Sequence, residues 1–167
     1  MVNAVVIRCV CTLLATVAVH SAAAQGDEPR VQFQVLSRPE FRSSKPVYMA
    51  INSLDEWVAF LKVHNEDSLG VPSAVQSLPF IDFKMNTLLV ATSGTKPNLG
   101  YSIAFASVRE FNGVTVSVLD IEPGVNCPTA QELTNPRAWA LIPKSRERVT
   151  FTVVRAIRDC KTHAEIY

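Results

Sequence analysis

Asn112-Gly113 stands between two strand-like runs, Tyr101 to Glu110 before it and Val114 to Ile121 after it, and no other dipeptide in the chain commits the backbone so far. Asparagine and glycine tolerate the positive φ needed at both central positions of a type I′ turn, whose twist matches that of two antiparallel strands. The dipeptide therefore predicts a two-residue antiparallel hairpin and fixes its register. In the second run Val114, Val116 and Val118 alternate with Thr115 and Ser117, and further on Val149, Phe151 and Val153 alternate with Thr150 and Thr152. Alternation of this kind belongs to sheets with one buried and one solvated face.

The remaining segments read the same way with one exception. Val31 to Leu36 and Pro46 to Ile51 are predicted strands, the second with proline at its start, where a missing N–H is tolerated. Asp82-Phe83 with Thr87 to Thr92 forms an apolar strand, and Ala138 to Ile142 another. Between these the period changes to that of a helix. Ser53-Leu-Asp-Glu56 is a capping box, with Ser53 accepting from the Glu56 amide and Glu56 reaching back to the Ser53 amide. Leu54, Trp57, Val58 and Leu61 follow at helical spacing, predicting an amphipathic helix from Leu54 to about His64 whose Trp57 and Leu61 stripe is core. Gly70, Pro72 and Pro79 mark the loop after it. The expected fold is α+β, predominantly antiparallel β, a small sandwich or barrel-like sheet with one amphipathic helix near residues 54–64.

The first 24 residues are set apart from this domain. Arg8 precedes an uncharged apolar run from Cys9 to Val19, and Ala22-Ala23-Ala24 is a small-residue cleavage site, the pattern of a secretory signal peptide. The run is too short to cross a hydrocarbon core of roughly 30 Å. Gln25, rather than a cysteine, follows the cleavage site, so no lipid anchor is expected. Residues 25–167 are expected to form one domain, secreted or periplasmic, with no membrane span. Without Arg8 the basic and acidic residues balance, so no basic face points to nucleic acid or to an anionic membrane. Cys127 and Cys160 are the two cysteines left in a compartment where disulfides persist, and they are expected to pair. In the chain-entropy model such a bridge contributes roughly 3 to 4 kcal/mol.

Successive antiparallel hairpins alternate their connections between the two ends of a sheet. That count puts the loop at 94–100, the connection from Glu122 to Arg137 and the tail after Val154 at one end. Asn112-Gly113 and the turn from Lys144 to Arg148 fall at the other end. Cys127 and Cys160 then share an end, as a bridge requires.

The chemistry-bearing residues are sparse. Serine or cysteine nucleophiles need a base within hydrogen-bond reach, and the domain has only His64, expected to meet free carbonyls at the helix end, and His163 in the tail. Zinc requires three or four Cys or His ligands. Asp120, Glu122 and Asn126 could place oxygens at a strand end for a hard cation, but the carboxylates read rather as solvated groups ahead of the Pro123-Gly124 turn. No catalytic residue, metal or other cofactor is expected, and the protein is not expected to be an enzyme.

One string of motifs resembles a known family. Asp82-Phe83, Gly94-Thr-Lys-Pro97, Gly100-Tyr101-Ser102-Ile103, Pro123-Gly124, Cys127-Pro-Thr-Ala-Gln131, Leu133-Thr134-Asn-Pro136 and Ile142-Pro143 are similar, in order, to the C-terminal domain of PrcB, a protease complex subunit. The resemblance is strongest over residues 78–145. It implies a small extracytoplasmic β-rich module that stabilises or assists a protease, and it implies no catalytic residues. A second, shorter likeness is to chagasin-type inhibitors, immunoglobulin-like sandwiches that enter papain-like proteases through loops. Here Lys96-Pro-Asn-Leu-Gly-Tyr101 and Asn135-Pro-Arg-Ala-Trp139 would mark those loops, the ones at 94–100 and 134–139. The expected binding edge is therefore Lys96, Pro97, Asn98, Gly100, Tyr101, Arg137 and Trp139, facing a protein partner. In it Gly94 and Gly100 permit turn conformations and Pro97 fixes φ.

Overall fold

The structure is a computed structural model, described here for residues 29–37, 41–64 and 81–160. The expected signal segment with its expected cleavage site, the expected loop containing Gly70, Pro72 and Pro79, and His163 lie outside the described residues. Seven strands and one helix follow in the order β1 (Gln34–Val35), β2 (Val47–Ile51), α1 (Leu54–His64), β3 (Asn86–Thr92), β4 (Ser102–Glu110), β5 (Val114–Pro123), β6 (Arg137–Pro143) and β7 (Val149–Arg158). They make three layers. A three-stranded sheet ordered β4-β5-β7 faces a four-stranded sheet ordered β1-β6-β3-β2, and α1 covers the far side of the latter. The predicted β-rich α+β class holds, in its sandwich form.

β3 is the middle of the stack. Its register sets Leu89 beside Ala140 and Ala91 beside Ala138, while Leu88 and Val90 stand beside Leu141 and Trp139. Successive side chains of a strand point to opposite faces, so the first set enters the core between the sheets and the second enters the core beneath the helix. A strand buried on both faces reads as a continuous apolar run, as Leu88-Leu89-Val90-Ala91 does. Asp82-Phe83 is not part of this strand. The Asp82 carboxylate and carbonyl accept from the Lys84 and Asn86 amides, making a turn that delivers the chain into β3.

The helix forms as its sequence dictates, with two differences. The Ser53 hydroxyl accepts from the Glu56 amide at 3.1 Å, but the Glu56 carboxylate takes the Asn52 amide, one residue earlier than the capping box predicts, at 2.7 Å. Trp57, Phe60 and Leu61 are its buried residues, while Leu54 is exposed and Val58 half-buried. Leu54 opens the first turn, and the sheet lies under the next two.

The hairpin expected at Asn112-Gly113 is present, with φ of 49° and 131°. Its register pairs Glu110 with Val114, so the loop holds three residues rather than two. The Val114 amide donates to the Arg148 carbonyl at 3.0 Å instead of closing a narrow pair with Phe111.

β7 lies parallel to β5 over ten unbroken pairs, Val114↔Val149 through Pro123↔Arg158, which corrects the expectation of consecutive antiparallel neighbours. The chain leaves β5, crosses to the other sheet for β6 and crosses back for β7. Two reversals restore the original direction. The alternation of ends survives this, because it depends only on each strand running back along the sandwich. A seam closes one side of the sandwich: Val31 donates to Val108 of β4 and Glu110 donates to Pro29, and three residues later β1 pairs with β6 of the other sheet.

Candidate functional site

Cys127 and Cys160 are bonded, with sulfurs 1.99 Å and Cα atoms 5.2 Å apart, at the end of the sandwich where β3, β5 and β7 finish. The predicted convergence of the 94–100 loop, the Cys127 connection and the end of β7 is thus what the fold produces. Gly124 donates to the Arg158 carbonyl at 2.9 Å and Cys127 to the Gly124 carbonyl at 2.9 Å. Lys96 and Thr134 exchange backbone hydrogen bonds at 2.8 and 3.0 Å, and Leu99 donates to Ala130 at 3.2 Å. Asn98 accepts from Gly100 at 3.0 Å, and the Lys96 ammonium lies 5.2 Å from the centre of the Tyr101 ring.

A fourth segment, 41–46, joins this end, and nothing in its composition announced it. Gly94, at φ +77°, packs so closely on the carbonyl of Ser44 that a Cβ would lie 2.8 Å from it. Gly100 has no such dihedral. Its side of the backbone is pressed against Thr129 and Pro123, where a Cβ would come within 2.5 Å of the threonine methyl, so close approach rather than turn conformation requires glycine here. The Thr92 hydroxyl donates to the Pro136 carbonyl at 2.8 Å and accepts from Gly94 at 3.1 Å. The Asn135 amide donates to the Ser43 carbonyl, and the Arg137 guanidinium to the Phe41 carbonyl at 2.6 Å.

Beneath the loop the Ser93 hydroxyl donates to Asp120 at 2.7 Å, tying the end of β3 to β5 across the two sheets. Asp120, expected to be solvated, is only 4% exposed. Burial first, and the Asp120 charge second, raise the Tyr48 phenol above its usual pKa, with Arg155 acting in the opposite sense. His64 also departs from expectation. Its ring packs on Phe60 and Phe41, with centroids 4.5 and 6.3 Å away, while its backbone carbonyl accepts from Arg42. Burial lowers its pKa.

Of the seven residues expected at the binding edge, Lys96, Pro97, Asn98, Gly100 and Tyr101 share the one loop, and Arg137 starts β6 beside it. Trp139 does not join them. It is 2% exposed, wedged between Phe41 and Trp57 with ring centroids 4.9 and 4.8 Å away, because pairing with Val90 turns it toward the helix. It is a core residue. The sequence reading missed the apolar residues this end leaves in solvent: Leu99 is 50% exposed, Leu133 74%, Ile157 75% and Val125 fully. Leu99 and Leu133 line a shared groove of about 880 Å³ with Lys45 and His64 among the described residues. Leu99 and Val125 were findable, since each is a large apolar residue inside a turn sequence, beyond the reach of any strand or helix period.

Residues 87–143 match the family model described as PrcB C-terminal. That range runs from β3 through the end of β6, and it holds the 94–100 loop and the Cys127 connection. No curated protein and no solved structure matches the chain. No helix among the described residues is long and apolar enough to cross a membrane.

Proposed function

We propose that the chain is a secreted or periplasmic accessory protein, without catalytic activity of its own, whose disulfide end holds a protein partner, an extracytoplasmic protease or a component of its complex. The observation that carries this reading is the exposure of Leu99, Val125, Leu133 and Ile157 at one end, on segments locked by a disulfide and by backbone bonds. Apolar side chains grouped in solvent mark interaction sites, and loops fixed on a rigid scaffold bind without first being ordered. Lys96, Pro97, Asn98, Gly100 and Tyr101 give the edge its shape and charge. The match to the PrcB C-terminal model supports a protease complex as the setting. Residues 25–167 act in this as one unit, delivered by the signal peptide at 1–24.

The test uses purified protein immobilised and exposed to the extracytoplasmic fraction of its own source, with retained casein-hydrolysing activity as the readout. Leu99→Ser with Leu133→Ser, and separately Val125→Ser, are expected to lower retention about tenfold or more while circular dichroism stays unchanged. Retention equal to the unaltered protein in both variants would remove this surface. An inhibitor working through 94–100 and 134–139 would instead suppress the hydrolysis it captures. Burial of Pro136 and Trp139 weighs against that second loop.

A further inference from the structure

We propose that β7 is a pairing edge and that its occupant is β7 of a second copy of this chain. The argument begins with how the four sheet edges differ. An edge strand offers unpaired N–H and C=O groups to any other strand, and proteins blunt such edges by shortness, proline, bulges or cover. β1 has two residues, and β2 has five with Pro46 immediately before it. β4 carries a register shift between Phe105 and Ser107, and residues 29–31 pair along its far half. β7 has ten residues, no proline, no glycine and no break in register, and among the described residues its strand partner is β5 alone. Val149-Thr-Phe-Thr-Val-Val154 is a run of β-branched and aromatic residues with high strand propensity.

The register identifies the free groups. Arg148 and Arg158 turn their carbonyls to Val114 and Gly124 on the β5 side. In a parallel ladder alternate residues bond the neighbour, so the even-numbered residues of β7 face β5 and Val149, Phe151, Val153, Arg155 and Ile157 present their backbone groups outward. A two-fold axis through Val153 pairs these five residues with one another. Val153 meets its own copy, Phe151 meets Arg155 of the other strand, and Val149 meets Ile157. On the solvent face Thr152 falls opposite Val154, and Thr150 opposite Ala156. Apolar thus meets apolar in the centre, and Arg155 is placed opposite Phe151 rather than another arginine. The strand is self-complementary in this register, which is what a two-fold interface demands of one surface.

The product is a continuous six-stranded sheet, β4-β5-β7 followed by its mirror in strand order, with the disulfide ends of the two copies at opposite extremes. Leu99, Val125 and Leu133 stay open in both copies while Ile157 enters the seam, so the inference rests on the strand edge and not on the preceding reading, whose test alters Leu99, Leu133 and Val125 alone.

Sedimentation equilibrium on the purified chain with its disulfide intact tests this. The unaltered protein is expected to show twice the monomer mass at micromolar concentration. Thr152→Lys with Val154→Lys sets like charges opposite one another twice, at positions already in solvent, and is expected to weaken association at least about tenfold. Thr152→Lys with Val154→Glu sets opposite charges in the same places and is expected to restore it. A monomeric unaltered protein overturns the proposal, as does a dimer indifferent to the two lysines or one lost equally with the lysine–glutamate pair.

Discussion

The two cores of this protein lie back to back on the same strand and are built from different materials. Between the sheets the buried residues are almost all aliphatic, with Leu89, Val108, Val114, Val116, Val118 and Ile142 around Phe105. Beneath the helix half of them are rings, with Phe41, Trp57, Phe60 and Trp139 meeting edge to face or stacked at centroid distances of 4.8 to 6.4 Å beside Ile51, Leu61, Leu88 and Val90. The difference follows from what bounds each space. Two sheets held by backbone ladders approach evenly, and interdigitating branched side chains fill the gap. One helix on a twisted sheet leaves a deeper, less regular space, which large plates fill at the cost of leaving the indole N–H groups of both Trp57 and Trp139 without an acceptor among the described residues.

Leu88 and Leu89 turn this contrast into a controlled experiment, being adjacent, of one type, fully buried and directed into opposite cores. The price of a core truncation depends on how far the surroundings collapse into the void. Leu89→Ala is expected to cost about 4 to 5 kcal/mol in chemical denaturation, because the ladders on both sides resist collapse, and Leu88→Ala about 2 to 3 kcal/mol, because the helix can settle. Equal losses would mean that the helix is held as firmly as a strand. A smaller effect probes what holds it: Ser53→Ala removes the acceptor for the Glu56 amide and is expected to cost about 1 kcal/mol. Adding Leu88→Ala to Ser53→Ala should give less than the sum if both changes loosen the same layer.

The smallest effect is on acidity. His64 at the end of the helix resists protonation in the folded state because it is partly buried against Phe60 and Phe41. The unfolded chain therefore takes up this proton first, near pH 6.5. Stability is complete above that value and declines as the pH falls through it toward the lower folded pKa. His64→Gln should flatten this part of the stability curve. An unchanged slope would place the pH sensitivity elsewhere, outside the aromatic core.

Much of this was legible along the chain, for reasons that also explain what was not. The alternation of Val114, Val116 and Val118 declared which residues go inside, and the back-and-forth of the strands declared which loops meet, so the cysteine pair and the 94–100 loop were placed together correctly. Period alone cannot say which of two sheets a strand enters. That is why β7 was expected beside β6, and why its parallel contact with β5 was invisible. Trp139 was misassigned for a related reason: its face is fixed by pairing with Val90, a partner 49 positions earlier that no local pattern names. Asp120 looked solvated because a carboxylate near a turn usually is, and its partner Ser93 sits 27 positions earlier, just past the end of β3 in the other sheet. Phe60 was passed over for Leu54 because the helical spacing fixes a stripe but not where along the helix the sheet begins.

The stitched side of the sandwich sets a schedule for folding. Synthesis runs from the N terminus, so Pro29 to Val35 is among the first parts of the domain to be made, yet its partners Val108, Glu110, Ala140 and Leu141 come at the far side of the chain. Neither layer is complete until β6 exists, and the three-stranded sheet waits longer, for β7. Entropy must be spent on these distant closures before any ladder returns it. The earliest segment must therefore stay extended and unclaimed for most of synthesis, which is when a holding factor would have something to hold.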